Sequence, residues 1–288
     1  MTRTAKTVLL LICLCSCQQH EQNALVTLFG LPKKLKEISG IAYNPKQGSY
    51  YAIADSGNEN VVYELGKSGE VSSEITIEGV KNVDWEDIAS DGSGNVYIGD
   101  FGNNANERKD LAIYKITAEN MASKKVKTTE KIGFYYPEQT DFPPKKSKLF
   151  YDAESFILYQ NYLYVFTKNR SKNFDGTTLL YRIPNAAGNH KAELLDSFKT
   201  GENYNNGAIT AAAISPDGKR IVLLSHSKVW LFEDYSGDAF FKGKTTKLDL
   251  HHYSQKEAIA FKNNTTIVIA DEKIKKTGGK VYEYALPE

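Results

Sequence analysis

Acidic side chains recur at two positions in a set of similar segments, and carboxylates spaced in this way could bind a metal ion or transfer protons. The segments are EISGIAYNP, DWEDIASDG, DAESFILYQ, TAAAISPDG and QKEAIAFKN. Aligned on their apolar pair and turn, they hold Glu37, Asp84, Asp152, Thr210 and Gln255 at the first position, and Ser39, Glu86, Glu154, Ala212 and Glu257 at the second. Side chains two residues apart on a strand point the same way, so both positions should project to one side.

A second apolar run follows each segment, which predicts a repeated hairpin. These runs end at Asp55, Asp100, Lys168, His226 and Asp271. The spacing from the second acidic position to this end is 14 residues in four copies and 16 in the first. In an antiparallel hairpin the start of one strand lies beside the end of the next, so these residues should gather at one end of each unit.

The repeat predicts an all-β fold, a single β-propeller of five blades with four strands each, over residues 24–288. Third strands such as NVVYEL and LAIYKI are clear, and fourth strands such as TTKLDL are weaker. The fifth copy lacks a fourth strand, and Ala24–Gly30 is expected to close the last blade in its place. Six blades are the alternative, if the long gap between Glu86 and Glu154 contains one more.

Composition and the N-terminus limit the function classes. The 288 residues include 36 Lys and Arg against 35 Asp and Glu, so the net charge of +1 gives no bulk field that favours nucleic acid.

All three cysteines fall within the first 17 residues, around the apolar run TVLLLICL. This pattern predicts a lipoprotein signal over residues 1–17, with cleavage before Cys17 and lipid on its sulfur, and a polar tether over 18–23. An ordinary secretory signal is the alternative.

The expected location is therefore the bacterial cell envelope. The protein would be lipid-anchored at the outer membrane and would face the periplasm or the cell surface. Cys17 would connect it to the membrane.

A hard cation is the predicted occupant of the carboxylates. The candidate metal ligands are Glu37, Asp84, Glu86, Asp152, Glu154 and Glu257. Crowded carboxylates repel one another, and an oxygen-rich set without cysteine suits Ca²⁺ before Mg²⁺. The structural alternative is that these carboxylates accept hydrogen bonds from backbone amides of the adjacent blade and lock the ring.

Blades three and four depart from the acidic pattern. We therefore expect an uneven distribution of charge at the mouth of the central channel, where the inner strands begin. Lys168, Arg170 and His226 are expected on one side, and with Asp100 they form the predicted binding site for a small anionic ligand or a protein partner. His226 is also the candidate catalytic acid or base, and the alternative is a turn residue in SHSK. The loop Tyr135–Lys148 is either a solvated insertion or a wall of this site.

The segments DWEDIASDGSGNVYIGDFGNN, YDAESF and QKEAIAF resemble the extracytoplasmic bacterial propellers grouped as SdiA-regulated-like, phytase-like and NHL or SMP-30-like proteins. The resemblance implies the propeller fold and, for some relatives, calcium-dependent hydrolysis of phosphoesters or lactones. Two functional hypotheses follow. The first is an anchored binding propeller whose mouth holds a ligand or partner, together with a divalent cation. The second is a metal-dependent hydrolase of phosphoesters or lactones.

Overall fold

The computed structural model describes residues 24–287, so the predicted signal 1–17 and tether 18–23 lie outside the described residues. Within this range strands dominate, and the helical elements are short. They are one α-helix, α1 (Tyr204–Gly207), and 3₁₀ turns at Lys33–Leu35, Asn120–Ala122 and Phe240–Lys242. None of the helices described is long and apolar enough to cross a membrane.

Five antiparallel sheets form the blades of a propeller. The chain begins with β1 (Val26–Gly30), which belongs to blade five. Blade one contains β2 (Ile38–Asn44), β3 (Ser49–Ala54), β4 (Val61–Leu65) and β5 (Val71–Glu78). Blade two contains β6 (Trp85–Ser90), β7 (Val96–Asp100), β8 (Ala112–Ile116) and, after the short β9 (Lys125–Lys127), β10 (Glu130–Tyr135). Blade three contains β11 (Asp152–Tyr159), β12 (Tyr162–Lys168), β13 (Thr177–Pro184) and, after the short β14 (Gly188–Lys191), β15 (Glu193–Lys199). Blade four contains β16 (Ala211–Ile214), β17 (Ile221–Leu224), β18 (Lys228–Glu233) and β19 (Lys244–Asp249). Blade five contains β20 (Lys256–Asn263), β21 (Thr266–Asp271) and β22 (Lys280–Ala285).

The N-terminal strand closes the ring, as the sequence predicted. β1 pairs antiparallel with β22, from Val26 opposite Glu283 to Gly30 opposite Lys280. The inner strands β2, β6, β11, β16 and β20 contact one another in turn, and β20 returns to β2. The six-blade alternative is wrong, because the outer strands of blade two fill the gap that could have held another blade.

Connections between strands protect two of the blade edges. β9 adds parallel to β5 at the outer edge of blade one, and β14 adds parallel to β10 at the outer edge of blade two. Each added strand comes from the next blade along the chain, so neighbouring blades are linked by backbone hydrogen bonds as well as by side chains.

Apolar side chains between neighbouring blades form the core. Trp85 is fully buried with residues of blades one and two, and Trp230 lies in the cluster between blades three and four. Both tryptophans therefore pack blades together. The burial of apolar area between blades stabilises the ring and fixes where each inner strand begins.

The pairing register departs from the predicted equivalence of the second-strand ends. Asp100 and Asp271 lie opposite Trp85 and Lys256, one residue before the second acidic position, whereas Lys168 lies opposite Asp152, two residues before it. The hairpin of blade three turns through two residues after Tyr159, so the equal 14-residue spacing hides a one-residue shift. Because side chains alternate along a strand, a shift of one residue changes the side to which each points.

Candidate functional site at the channel mouth

The second acidic position coincides with a β-bulge in four blades. The pairing is interrupted between Ile38 and Gly40, between Trp85 and Asp87, between Ala153 and Ser155, and between Lys256 and Ala258. The skipped residues are Ser39, Glu86, Glu154 and Glu257. In blade four β16 pairs without interruption through Ala212. A β-bulge turns a side chain away from its regular position in the paired strands. The acidic side chains at the second position therefore occur where the backbone changes their direction.

Contacts between blades that are not neighbours show that these side chains converge on the axis. Lys168 of blade three lies 3.2 Å from Glu154 Oε2 and 3.9 Å from Glu257 Oε2 of blade five. We call this end of the channel, where the inner strands begin, the mouth.

Three carboxylates form a compact cluster between blades one and two, which we call the acidic triad. One oxygen from each of Asp55, Asp84 and Glu86 lies within 4.8 Å of the others. Glu86 is only 7% exposed, and no cation or hydrogen-bond donor among residues 24–287 pairs with its carboxylate. Asp55 accepts a hydrogen bond from the backbone of Ser56. The buried Glu86 therefore lacks the partner that a charged group normally requires.

The pKa values of the triad carboxyls are shifted by this crowding. Burial raises the pKa of Asp84 to about 6, and the nearby Asp55 carboxylate adds to the rise. Burial, together with Glu154 and Asp55, raises the pKa of Glu86 well above its usual value. Both shifts favour the protonated carboxyls, so protons and a bound cation would compete for these oxygens.

The cations predicted at the mouth pair with the carboxylates on its other side. Arg170 donates hydrogen bonds to Asp152 and, over 2.7 Å, to Glu154. A further Arg170 nitrogen donates to the hydroxyl of Tyr204 at 2.9 Å. Burial acts to raise the pKa of Glu257, but Lys168 and the hydrogen bond with His226 outweigh burial and hold it below its usual value. Asp152, Glu154 and Glu257 thus have internal counter-ions, whereas no cation among residues 24–287 pairs with the triad.

His226 lies at the mouth, in the bend that joins β17 to β18. Its Nε2 lies 3.2 Å from Glu257 Oε1, and its Nδ1 lies 3.4 Å from the hydroxyl of Tyr253. The buried ammonium of Lys256 donates to the His226 carbonyl oxygen over 3.0 Å, which ties the loop to β20. This position is compatible with the predicted ligand or acid-base role, which remains a prediction.

Two predicted residues have other contacts. Glu37 lies at the rim, where the Asn58 amide donates to it over 2.9 Å and Lys36 lies 3.2 Å away. Asp100 pairs with Arg108 at 2.9 Å and accepts the backbone N–H of Asp84 at 3.2 Å. Asp100 therefore supports the backbone beneath Asp84 and is buried, with 2% of its surface exposed, and its predicted role in ligand binding remains a prediction.

Some carboxylates accept hydrogen bonds from backbone amides of the adjacent blade, which was the structural alternative to a metal site. Asp152 accepts the backbone N–H of Asn103 from blade two at 2.7 Å. Asp87, which the sequence did not single out, accepts backbone hydrogen bonds from Ile88 at 2.8 Å and from Phe156 of blade three at 3.0 Å. These two carboxylates lock blades two and three together.

Glu272 is a mouth residue that the sequence pattern missed. It follows β21, and the Gln255 amide donates to it over 2.9 Å. Burial raises its pKa to about 8, and Glu257 and Asp55 contribute to this rise. The one-residue register shift was the available signal, since Glu272 and Asp55 each come directly after the last residue of a second strand.

The insertion loop lies on the mouth face beside blade three. Lys172 donates a backbone hydrogen bond to Lys146 at 2.8 Å, and Arg170 donates one to Leu149 at 2.8 Å. The buried Gln139 amide donates to Asn106 at 2.7 Å. The loop is thus attached to the segment that carries Arg170, while its lysines remain exposed.

Fold and site together define a five-bladed β-propeller with a carboxylate-rich mouth. The family model described as SdiA-regulated matches residues 20–140, which confirms the resemblance for this part of the chain. No curated protein matches the sequence significantly.

Solved propellers share the fold at low sequence identity. The PQQ-bound aldose sugar dehydrogenase of Streptomyces coelicolor is 11% identical with a TM-score of 0.51, and the match covers 91% of this chain and 98% of that one. A gluconolactonase of Xanthomonas campestris is 11% identical with a TM-score of 0.50, and the match covers 92% of this chain and 90% of that one. At this identity the likeness is one of fold.

Proposed function

We propose that the mouth binds a divalent cation through Asp55, Asp84 and Glu86, and that the cation holds an anionic ligand there. The observation that carries this proposal is Glu86, a buried carboxylate with no counter-ion among the described residues. A cation would offset the repulsion within the triad, which at about 5 Å and an effective dielectric near 20 amounts to about 3 kcal/mol per charged pair.

The ligand type of the triad suits calcium. Ca²⁺ binds carboxylate oxygens at about 2.4 Å in flexible geometry. One oxygen from each triad residue lies within 4.8 Å of the others, which is close enough for the three to share one ion. Mg²⁺ requires shorter contacts in near-octahedral geometry, and the absence of Cys and His from the triad disfavours zinc.

Glycine at position 102 keeps the triad compact. A Cβ at Gly102 would overlap the carboxylates of Glu86 and Asp84. The loop after β7 therefore approaches the triad as closely as a backbone can, and only glycine permits that approach.

The ligand would contact the opposite wall of the mouth. Three carboxylates and one divalent cation leave a net charge of about −1, and the far side of the mouth offers the guanidinium of Arg170, which also binds Asp152 and Glu154, and the ring nitrogens of His226. A phosphate or carboxylate compound would bridge the cation and these side chains. Calorimetric titration with CaCl₂, followed by melting scans with small phosphates and carboxylates, tests the proposal. Ligands should raise the melting temperature only when calcium is present, and stabilisation in chelator would contradict the role of the cation.

Hydrolysis is a second candidate, and the observation that favours it is Glu272. A carboxyl with a pKa of about 8 is largely protonated at neutral pH and can donate a proton to a leaving group. A divalent cation bound nearby would polarise the scissile group. Turnover of nitrophenyl phosphates or simple lactones should require calcium and fall at least 100-fold in Glu272→Gln, with calcium affinity unchanged. Absence of turnover across both substrate classes would eliminate this candidate.

The anchor is also proposed. β1 starts at the end of blade five that lies away from the mouth, because Val26 pairs with Glu283 near the end of β22. A tether attached there would direct the mouth away from the membrane of the cell envelope. Cys17→Ser should move the protein from the membrane fraction to the soluble fraction, and unchanged fractionation would contradict lipid attachment.

A further inference from the structure

The other end of the channel contains a second site. A cavity of about 480 Å³ opens between the turns that join first and second strands, opposite the mouth. All five inner strands contribute to its wall. Alanines from four of these strands leave the space open, and they are Ala42, Ala89, Ala213 and Ala260, with Ala212 beside Ala213.

The wall is mostly apolar. Ile88, Phe156 and Ile259 are among its aliphatic and aromatic residues. Its charged residues are Asp91 and Lys262. Asp91 accepts hydrogen bonds from its own turn, including one from the Asn95 amide at 2.7 Å, and Lys262 pairs with Glu283 at 2.6 Å. An anionic occupant would lose its hydration without gaining a free cation, and the Asp91 carboxylate is already held by hydrogen bonds within its own turn, so the cavity favours a neutral occupant.

One polar group on this wall lacks a partner. Asn185 donates its amide N–H to the hydroxyl of Tyr97 at 3.2 Å, and both residues line the cavity. The Asn185 Oδ1 atom is buried and accepts no hydrogen bond within residues 24–287. An occupant with a single N–H or O–H group could satisfy it after a small rotation of the side chain.

We infer that this cavity, which we call the lower cavity, binds a neutral and largely apolar small molecule with one hydrogen-bond donor directed at Asn185. The volume falls within the range of sites for drug-sized ligands, about 300–1,000 Å³. The site lies at the opposite end of the channel from the acidic triad and requires no cation. It is therefore independent of the proposed function of the mouth.

N-phenyl-1-naphthylamine is a suitable probe, because it is neutral, has one N–H donor and fluoresces more strongly in apolar surroundings. Its titration into the purified Cys17→Ser protein, which lacks the predicted acylation site, should give saturable binding of one molecule per chain. Binding should be the same in calcium and in chelator. Absence of saturable binding would overturn the proposal.

Two variants locate the probe. Ala89→Leu adds volume at a partly exposed position of the wall and should weaken binding about tenfold, whereas Ala118→Leu, on an exposed connection outside the cavity, should leave it unchanged. Equal affinity of the two variants would place the probe elsewhere. Melting scans of both proteins establish that each is folded.

The proposed hydrogen bond between the occupant and Asn185 has a separate test that does not depend on Ala89→Leu. Asn185→Ala should weaken binding of N-phenyl-1-naphthylamine about fivefold, as expected for one neutral hydrogen bond. Binding of 1-phenylnaphthalene, which lacks the N–H group, should not change. An equal loss for both probes would show that Asn185 acts by packing alone and would overturn the assigned donor.

Discussion

Glu86 and Glu154 occupy the same bulge position in adjacent blades but differ in their partners. Glu154 has Lys168 at 3.2 Å and Arg170 at 2.7 Å, whereas Glu86 has no cation among the described residues. The same change of carboxylate to amide should therefore have opposite effects at the two positions.

Glu86→Gln removes an unpartnered buried acid and should stabilise the calcium-free protein by about 1 kcal/mol or more. Glu154→Gln leaves the buried Lys168 and the partly exposed Arg170 with one fewer carboxylate and should destabilise it by about 3 kcal/mol. Urea denaturation in chelator at pH 7.5 measures both values. Destabilisation of similar size in both variants would mean that Glu86 has a structural partner after all.

Calcium affinity should depend on pH through the triad. The pKa of Asp84 is raised to about 6 and that of Glu86 well above its usual value, so protons compete with the cation as the pH falls. The dissociation constant for Ca²⁺ should rise about tenfold between pH 7 and pH 5. A constant affinity over this range would exclude these carboxyls as ligands.

At the scale of elements, the loop after β7 determines the room available to the triad. Gly102→Ala introduces a methyl group that overlaps two of the carboxylates. Calcium affinity should fall at least tenfold while the fold persists. Gly92→Ala is the matched control, since its methyl group would meet nothing within 4 Å. Equal calcium affinities for the two variants, measured by titration calorimetry, would contradict this role.

The sequence predicted which residues occupy the bulges but not the bulges themselves. Glu86, Glu154 and Glu257 recur because each inner strand follows one pattern, and that periodicity is visible in the letters. The register in which two strands pair depends on the length of the turn and on bulges. The register of the first hairpin in blade three differs by one residue from that in blade two. Glu272 comes one residue after the predicted second-strand end Asp271, so the equal spacing alone could not identify it.

At the scale of the molecule, ring closure by β1 links the two ends of the chain. Phe29 is 7% exposed and packs against Tyr50 of blade one, with ring centroids 5.8 Å apart. Phe29→Ala should therefore cost about 3–5 kcal/mol. Leu28→Ala, at a neighbouring position with 36% exposure, should cost less than about 1 kcal/mol. Similar losses in urea denaturation would argue against closure through this strand.

The number of blades and the closing strand were predictable because they rest on repeated apolar runs that every blade must bury. The pairing of charges at the mouth was not, because it depends on contacts across the axis between residues far apart in sequence. Lys168 illustrates this difference. Its blade was evident from the repeat, but its contact with Glu257 of blade five required the closed ring.

Titration calorimetry with CaCl₂ at pH 7.5, on the protein and on Glu86→Gln, tests the central claim most directly. One calcium ion should bind per chain, with release of protons from the triad, and binding should be lost in the variant. If the protein took up no calcium at millimolar concentrations, or if Glu86→Gln bound it equally well, the acidic triad would not be a cation site.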